Sequence, residues 1–413
     1  MKVTVFRRET CRLCDAPKPE LVMRLSPTPP ANAFVPRERI NEAQKQYPID
    51  VYFCSACGHV QLVDVVDPEI LFRDYVYVSS TSPVFVEHFR KYAEEVLKLV
   101  TPPQGALVVE IGSNDGTLLR FFHERGMRVL GVDPAREIAK KATSSGIETL
   151  PMFFTADLAQ RIRQEYGRAA IIAANNVFAH ADDLADITEG IRALLIPDGV
   201  YVFEASYLAD VIEKTLFDTI YHEHVSYHSV KPLDAFFRRH GMELIDTQRV
   251  ATHGGSLRGT VQLRGGPRPV SPRVAELVAL EAALGLDREA TFREFADRID
   301  RVGVRLGRVL SDFKAQGKTI AGYGAPAKAT TLLFHFNLGN VLDFIVDDSH
   351  LKQGLFSPGY HIPVLPPQAI YDRRPDYVLI LAWNFAEPIM KNHKKFLDQG
   401  GHFIIPLPQI QVV

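Results

Sequence analysis

The order of apolar and polar positions divides the chain into stretches of different texture. Up to about residue 70, short β-like runs such as Tyr47-Pro-Ile-Asp-Val-Tyr-Phe53 alternate with proline-rich connections, Ser26-Pro-Thr-Pro-Pro30 among them. So few residues with so much proline cannot build a core unaided. From 71 to 100 the spacing of Val84, Phe89, Val96 and Leu97 predicts a linking helix, stopped by Thr101-Pro-Pro103. From Ala106 apolar strands alternate with amphipathic helices, the pattern of a parallel sheet covered on both faces. The predicted strands are 107–111, 128–132, 147–150, 170–175 and 199–205, with 242–250 and 259–263 as an antiparallel end. Helical periodicity then fills 274–315. Strand and helix alternate again through 317–324, 341–346, 377–382 and 402–406. The expected organisation is a small module over 1–70, an α/β domain with its linking helix over 71–275, and a second α/β domain over 276–413.

Composition supports this picture and narrows the partners. Of 413 residues, 46% are apolar and 23% charged, as in ordinary globular proteins. A net charge of −2 from interleaved acids and bases offers no field for nucleic acid or anionic lipid. The first residues have no apolar signal core, and no apolar run reaches the ~18 residues of a membrane span. A cytoplasmic protein without a membrane partner is expected.

All four cysteines precede residue 60, as Cys11-Arg-Leu-Cys14 and Cys54-Ser-Ala-Cys57. Disulfides rarely persist in a reducing compartment, whereas two such turns supply the four soft ligands of a tetrahedral zinc. Four thiolates close the coordination shell, so the Zn2+ is expected to be structural. Gly58 suits a turn that aims backbone amides at the sulfurs, and His59 is expected on the surface or in packing.

The run Glu110-Ile-Gly-Ser-Asn-Asp-Gly-Thr-Leu-Leu119 is a strand, a tight turn and a helix start. Gly112 and Gly116 permit conformations that a Cβ would obstruct. A dinucleotide turn wants a glycine where Asn114 stands, and Glu110 disfavours a pyrophosphate while suiting a ligand with an ammonium and a sulfonium. Asp133 ends the next strand, where a carboxylate can accept ribose hydroxyls. Together they imply an adenosine ligand without pyrophosphate, a pattern that resembles class I methyltransferases using S-adenosylmethionine. Asn175 and Asn176, at another strand end, are candidates for its methionine part or for capping the next helix. Phe153 and Phe154 are candidates for stacking on adenine or for the core.

The segment Tyr221-His-Glu-His-Val-Ser-Tyr-His228 gathers groups that are costly to bury without a chemical task. His222 and His224 alternate, which on an extended chain puts them on one face. Metal binding, acid/base chemistry and structural hydrogen bonding are all open to such a set, and the absence of a His-Glu-x-x-His spacing favours acid/base chemistry over metal. Thr252-His-Gly-Gly-Ser-Leu-Arg258 adds His253 at a backbone-accessible turn. Lys328 follows the Gly-Tyr-Gly turn at 322–324, near a helix start suited to phosphate, and Asn384 ends another strand.

With Gly322-Tyr-Gly-Ala-Pro-Ala-Lys328 added, these motifs resemble the sugar C-methyltransferases along essentially the whole chain. The resemblance implies a class I Rossmann-like methyltransferase domain between an N-terminal zinc module and a C-terminal α/β domain that helps hold a nucleotide sugar. It implies His224 as the base, with Tyr221, Glu223 and His222 beside it and Tyr75 of Asp74-Tyr-Val-Tyr77 closing over the substrate. Tyr323, Lys328, Asn384 and His253 fall to substrate binding. The implied reaction is transfer of a methyl from S-adenosylmethionine to a ring carbon, C-3, of a dTDP- or GDP-linked 4-keto-6-deoxyhexose. A cleft formed within one chain needs no partner, so a monomer is expected. An O- or N-methyltransferase, an NAD-dependent oxidoreductase and a non-catalytic zinc protein sensing S-adenosylmethionine are the competing readings.

Overall fold

The computed structural model describes residues 4–73, 78–81 and 83–413, with the backbone alone at Thr81 and His253. Tyr75 and Tyr77 lie outside the described residues.

The central sheet has seven strands, in the spatial order Met242–Val250, Ser256–Leu263, Leu195–Ser206, Ala169–Asn175, Leu107–Ile111, Arg128–Val132, Thr149–Leu150. The last five run parallel, and Ser256–Leu263 lies antiparallel to both of its neighbours. Every residue of Leu107–Ile111 and Ala169–Asn175 is buried, as helices on both faces require. Leu195–Ser206 begins before the predicted 199 because Leu195 pairs with Ala169 ahead of a register shift that hides its pattern. Leu107–Ile111 and Ala169–Asn175 are neighbours, although the chain visits the far edge between them. Connections leaving their carboxyl ends therefore diverge and open a crevice.

The linking helix, Pro83–Val100, buries Phe89, Tyr92, Ala93 and Val96, and the Tyr92 hydroxyl donates to the Val202 carbonyl. Val84 faces solvent instead of the core. The helical stretch after 270 is two helices, Pro272–Ala283 and Glu289–Ala315, parted near Gly285, whose φ of +69° ends the first.

The N-terminal module carries a four-stranded sheet of Glu20–Met23, Val51–Phe53, Val60–Leu62 and Ser226–Tyr227. The last strand comes from the histidine-rich segment, more than 150 residues away in the chain, and pairs antiparallel with Val60–Leu62. The C-terminal sheet runs Val364–Leu365, Ile345–Val346, Ile320–Tyr323, Tyr377–Ile380, His402–Ile405, Gln411–Val412, parallel except for its final strand. Among the described residues no helix is long and apolar enough to cross a membrane.

Candidate active site and metal centre

The two Cys-x-x-Cys turns meet. One ligand atom from each of Cys11, Cys14, Cys54 and Cys57 lies within 4.8 Å of the others, as four-sulfur zinc coordination needs. Backbone amides of Leu13 and Cys14 face the Cys11 sulfur, and those of Ala16 and His59 face Cys14 and Cys57. Gly58 adopts φ +85°, and its N–H closes the second turn on the Cys54 carbonyl. His59 is packed rather than surface-exposed: it is fully buried, its Nε2 pairs with Ser226 Oγ at 3.3 Å, and its ring stacks on His228. Burial holds its imidazole well below the usual range, so it is neutral.

At the crevice a cleft of about 790 Å³ opens, walled by all three parts of the chain. Its floor is the glycine-rich turn. Gly112 has φ +69°, and a Cβ there would lie 2.2 Å from Val177 Cγ2. Gly116, at φ +75°, packs against Ile147 and shapes the turn without lining the cleft, which corrects its expected place as a contact. Asp133 accepts the N–H groups of Asn114 and Ala135, both at 2.8 Å, leaving each carboxylate oxygen a second lone pair for a ligand hydroxyl. The Asn114 side chain is committed locally, its Oδ1 accepting the Ser79 N–H at 3.0 Å.

Glu110 is buried beneath this turn, and burial pushes its carboxyl well above the usual range, opposed by Asn175 beside it. Glu110 Oε2 and both amide atoms of Asn175 lack a well-formed hydrogen bond among the described residues. Buried polar atoms of this kind at a cleft floor fit a polar ligand. Asn176 lines the cleft at φ +55°, and its N–H donates to the Glu204 carbonyl. Neither asparagine caps the next helix; Asp183 does. Phe153 and Phe154 both line the cleft, with Arg73 over the Phe153 ring and Phe154 also in the core.

The histidine-rich segment is a turn at 221–224, not an extended strand, and the His224 N–H donates to the Tyr221 carbonyl at 2.9 Å. Tyr221 and His224 are thereby brought together, their ring centroids 4.2 Å apart, and both line the cleft. His224 Nδ1 lies 2.7 Å from the Thr219 carbonyl. His222 points the other way: its Nε2–H donates to the Tyr47 carbonyl, burial pushes its imidazole down to about 4, and it does not line the cleft. The expectation that His222 and His224 share a face fails because the chain turns between them. Glu223 lines the cleft, and its Oε1 accepts the Asn32 amide of the N-terminal module at 2.8 Å.

Sequence reasoning missed His180, whose ring stacks between His224 at 5.1 Å and Phe72 at 5.5 Å. Its place just past the carboxyl end of a central strand was the available signal.

The C-terminal wall carries Lys328, largely buried over the Trp383 ring, donating to Asn384 Oδ1 and 3.7 Å from Asp218. Burial lowers its amine despite Asp218. Lys328 and Asn384 line the cleft, as does Lys352, which sequence reasoning did not single out. Tyr323 does not line it, contrary to expectation. Its hydroxyl is 2.8 Å from His393 Nε2 and within 3.3 Å of Asp348. His253 lies in the turn Thr252–Gly254.

Residues 11–72 match a family model for a zinc binding domain, 85–247 one for a methyltransferase domain, and 251–408 one for a C-methyltransferase C-terminal domain. The chain is 38% identical to the C-methyltransferase NovU of Streptomyces niveus over 98% of its own length and 97% of that protein's. Solved structures with partial likeness include magnesium protoporphyrin IX methyltransferase from Synechocystis PCC 6803 with bound SAM and the plantazolicin methyltransferase BpumL. The first is 14% identical, over 46% of this chain and 86% of that one, with a TM-score of 0.33. The second is 9% identical, over 45% and 87%, with a TM-score of 0.36, and scores this low support no inference. On the full-length relative and the three family models, the chain belongs to the C-methyltransferase family, as an S-adenosylmethionine-dependent enzyme with a zinc-binding N-terminal module.

Proposed function

We propose that the methyl acceptor is C-3 of a nucleotide-linked 4-keto-6-deoxyhexose, dTDP- or GDP-linked, and that His224 generates the carbon nucleophile. The observation that carries this reading is the His224 imidazole in the cleft wall with Nδ1 on the Thr219 carbonyl. A carbonyl can only accept, so the proton of the neutral ring sits on Nδ1 and Nε2 is its basic nitrogen. A sugar carbon carries no nucleophilic pair unless an adjacent carbonyl acidifies its proton, which a 4-keto group does for C-3. His224 removes that proton, and Tyr221, packed on the same ring, stabilises the enolate oxygen. Glu223, held by Asn32, orients the sugar; Tyr75 joins the set by motif resemblance alone.

Glu110, Gly112, Asp133, Asn175 and Asn176 hold S-adenosylmethionine, which supplies an electrophilic methyl on a sulfonium. Lys328, Asn384 and Lys352 face the diphosphate of the carrier. In this reading the chain divides near 70 and 275, and the enzyme acts as a monomer.

Incubating the enzyme with methyl-labelled S-adenosylmethionine and each nucleotide 4-keto sugar, then assigning the labelled carbon by NMR, tests the proposal. A methyl on C-3 is expected. Methylation at another position, or none with either carrier, contradicts it.

A further inference from the structure

The residue between the first two zinc ligands reaches further than the metal. Arg12, whose side chain is wholly inaccessible, sits in the Cys11–Cys14 turn and extends into the seam between the zinc module and the methyltransferase sheet. Its Nη1 donates to the Val225 carbonyl at 2.9 Å, to the Leu62 carbonyl and to Gln61 Oε1. Its Nε donates to Asp182 Oδ1 at 2.9 Å. Val225 adjoins His224, and Asp182 lies two residues past His180. One guanidinium therefore grips both segments whose rings stack in the cleft.

The backbone repeats the connection. The Ser226 N–H donates to the Ala179 carbonyl at 3.1 Å, and the Leu62 N–H donates to the Val225 carbonyl at 3.0 Å. Arg8 supplies a second cation to Asp182 at 3.0 Å. The remaining contacts fix Arg12 from behind. Its own N–H donates to Gln61 Oε1, and Gln61 Nε2 donates to the Thr10 carbonyl.

From this geometry we infer that Arg12 is a positioning residue for methyl transfer: it transmits the rigidity of the zinc-clamped turn to the His224 and His180 segments and sets where the His224 ring stands. A planar fork serves several acceptors at fixed angles, whereas a lysine ammonium is a point charge on a flexible stem and cannot span the same set. A displacement of about 1 Å at a reacting group costs on the order of a hundredfold in rate. The rate consequence rests on the proposed role of His224; the placement itself does not.

The test uses the full-length, zinc-loaded chain with Arg12→Lys. Gln61→Met, which lies away from the cleft and loosens the same guanidinium, replaces it if the first variant does not fold. Amide hydrogen exchange is read at 179–183 and 222–228, with 107–117 as the internal control, alongside zinc content and S-adenosylmethionine affinity by calorimetry. Turnover is followed with methyl-labelled donor and the nucleotide 4-keto sugar. Faster exchange in the two histidine segments is expected, with the control, zinc and donor affinity unchanged. For Arg12→Lys kcat falls about a hundredfold while the acceptor KM moves little, and the loss is smaller for Gln61→Met.

Unchanged exchange in 179–183 and 222–228 overturns the inference, as does raised exchange with kcat within a few-fold of the parent. Loss of zinc or of donor affinity in step with activity also overturns it, since that is a general structural role. If the parent itself transfers no methyl to the sugar, the acceptor reading fails and the exchange measurement alone decides the role of Arg12.

Discussion

Gly112→Ala tests the account of the cofactor turn with two separable penalties. At φ +69° an alanine sits in the left-handed region, which costs about 1–2 kcal/mol for a residue with a Cβ. The new methyl would also stand 2.2 Å from Val177 Cγ2, far inside van der Waals contact, so Val177 must shift. Overpacking of that kind costs about 1–3 kcal/mol. The expected destabilisation is about 2–5 kcal/mol, read as the opening free energy of the strand Leu107–Ile111 by native-state hydrogen exchange. Val177 lines the cleft, so its displacement also weakens S-adenosylmethionine binding in calorimetry. Val177→Ala removes the colliding methyl but not the backbone strain. In the double variant the overpacking part, about 1–3 kcal/mol, should return and the strain part should remain. Gly112→Ala within about 0.5 kcal/mol of the parent would show that neither the left-handed backbone nor Val177 constrains this position, and a double variant with no recovery would show that Val177 does not.

Two further outcomes follow from the site. Burial holds the Glu110 carboxyl well above the usual range, so it is neutral at low pH in folded and unfolded chains alike. Ionising it costs folded-state stability as pH rises from its ordinary value of 4.5 to its raised value. Across that window the parent without ligand loses stability while its affinity for the cationic cofactor rises by up to about tenfold per pH unit; Glu110→Gln flattens both slopes, and calorimetry showing the same pH slope in both proteins would exclude this role. Chelating the zinc frees four clustered thiolates, and metal binding of this kind contributes on the order of 10 kcal/mol to folding. Because Ser226–Tyr227 is a strand of the zinc module's sheet, activity should fall more than about tenfold on chelation and return with one equivalent of zinc; full activity in verified metal-free protein would contradict that coupling.

The sequence was most legible where burial imposes one pattern. Leu107–Ile111, Arg128–Val132 and Met242–Val250 were read to the residue because their apolar runs end at clear turns. The cysteine pairs announced their meeting because soft ligands at that spacing have few other uses. What escaped depends on contacts distant in sequence or on turn geometry. The pairing of Ser226–Tyr227 with Val60–Leu62 leaves no mark in a two-residue strand. His222 was misplaced because alternation presumes an extended chain, and 221–224 is a turn. Tyr323 was assigned to the cleft on its motif, yet its hydroxyl is bound by His393 and Asp348. His180 stands in the sequence only as a histidine just past a strand end, and its stacking on His224 is what ties it to the site.

The central claim is that His224 removes the proton next to the acceptor's carbonyl. Incubating the nucleotide 4-keto sugar with the enzyme in deuterated water, and following the C-3 proton by NMR, observes that step directly. The account predicts rapid exchange with the parent and with His222→Gln, whose imidazole faces away from the cleft. It predicts exchange slowed by about 10²–10⁴-fold in His224→Gln with cofactor affinity intact. Exchange at the parental rate in His224→Gln would contradict it.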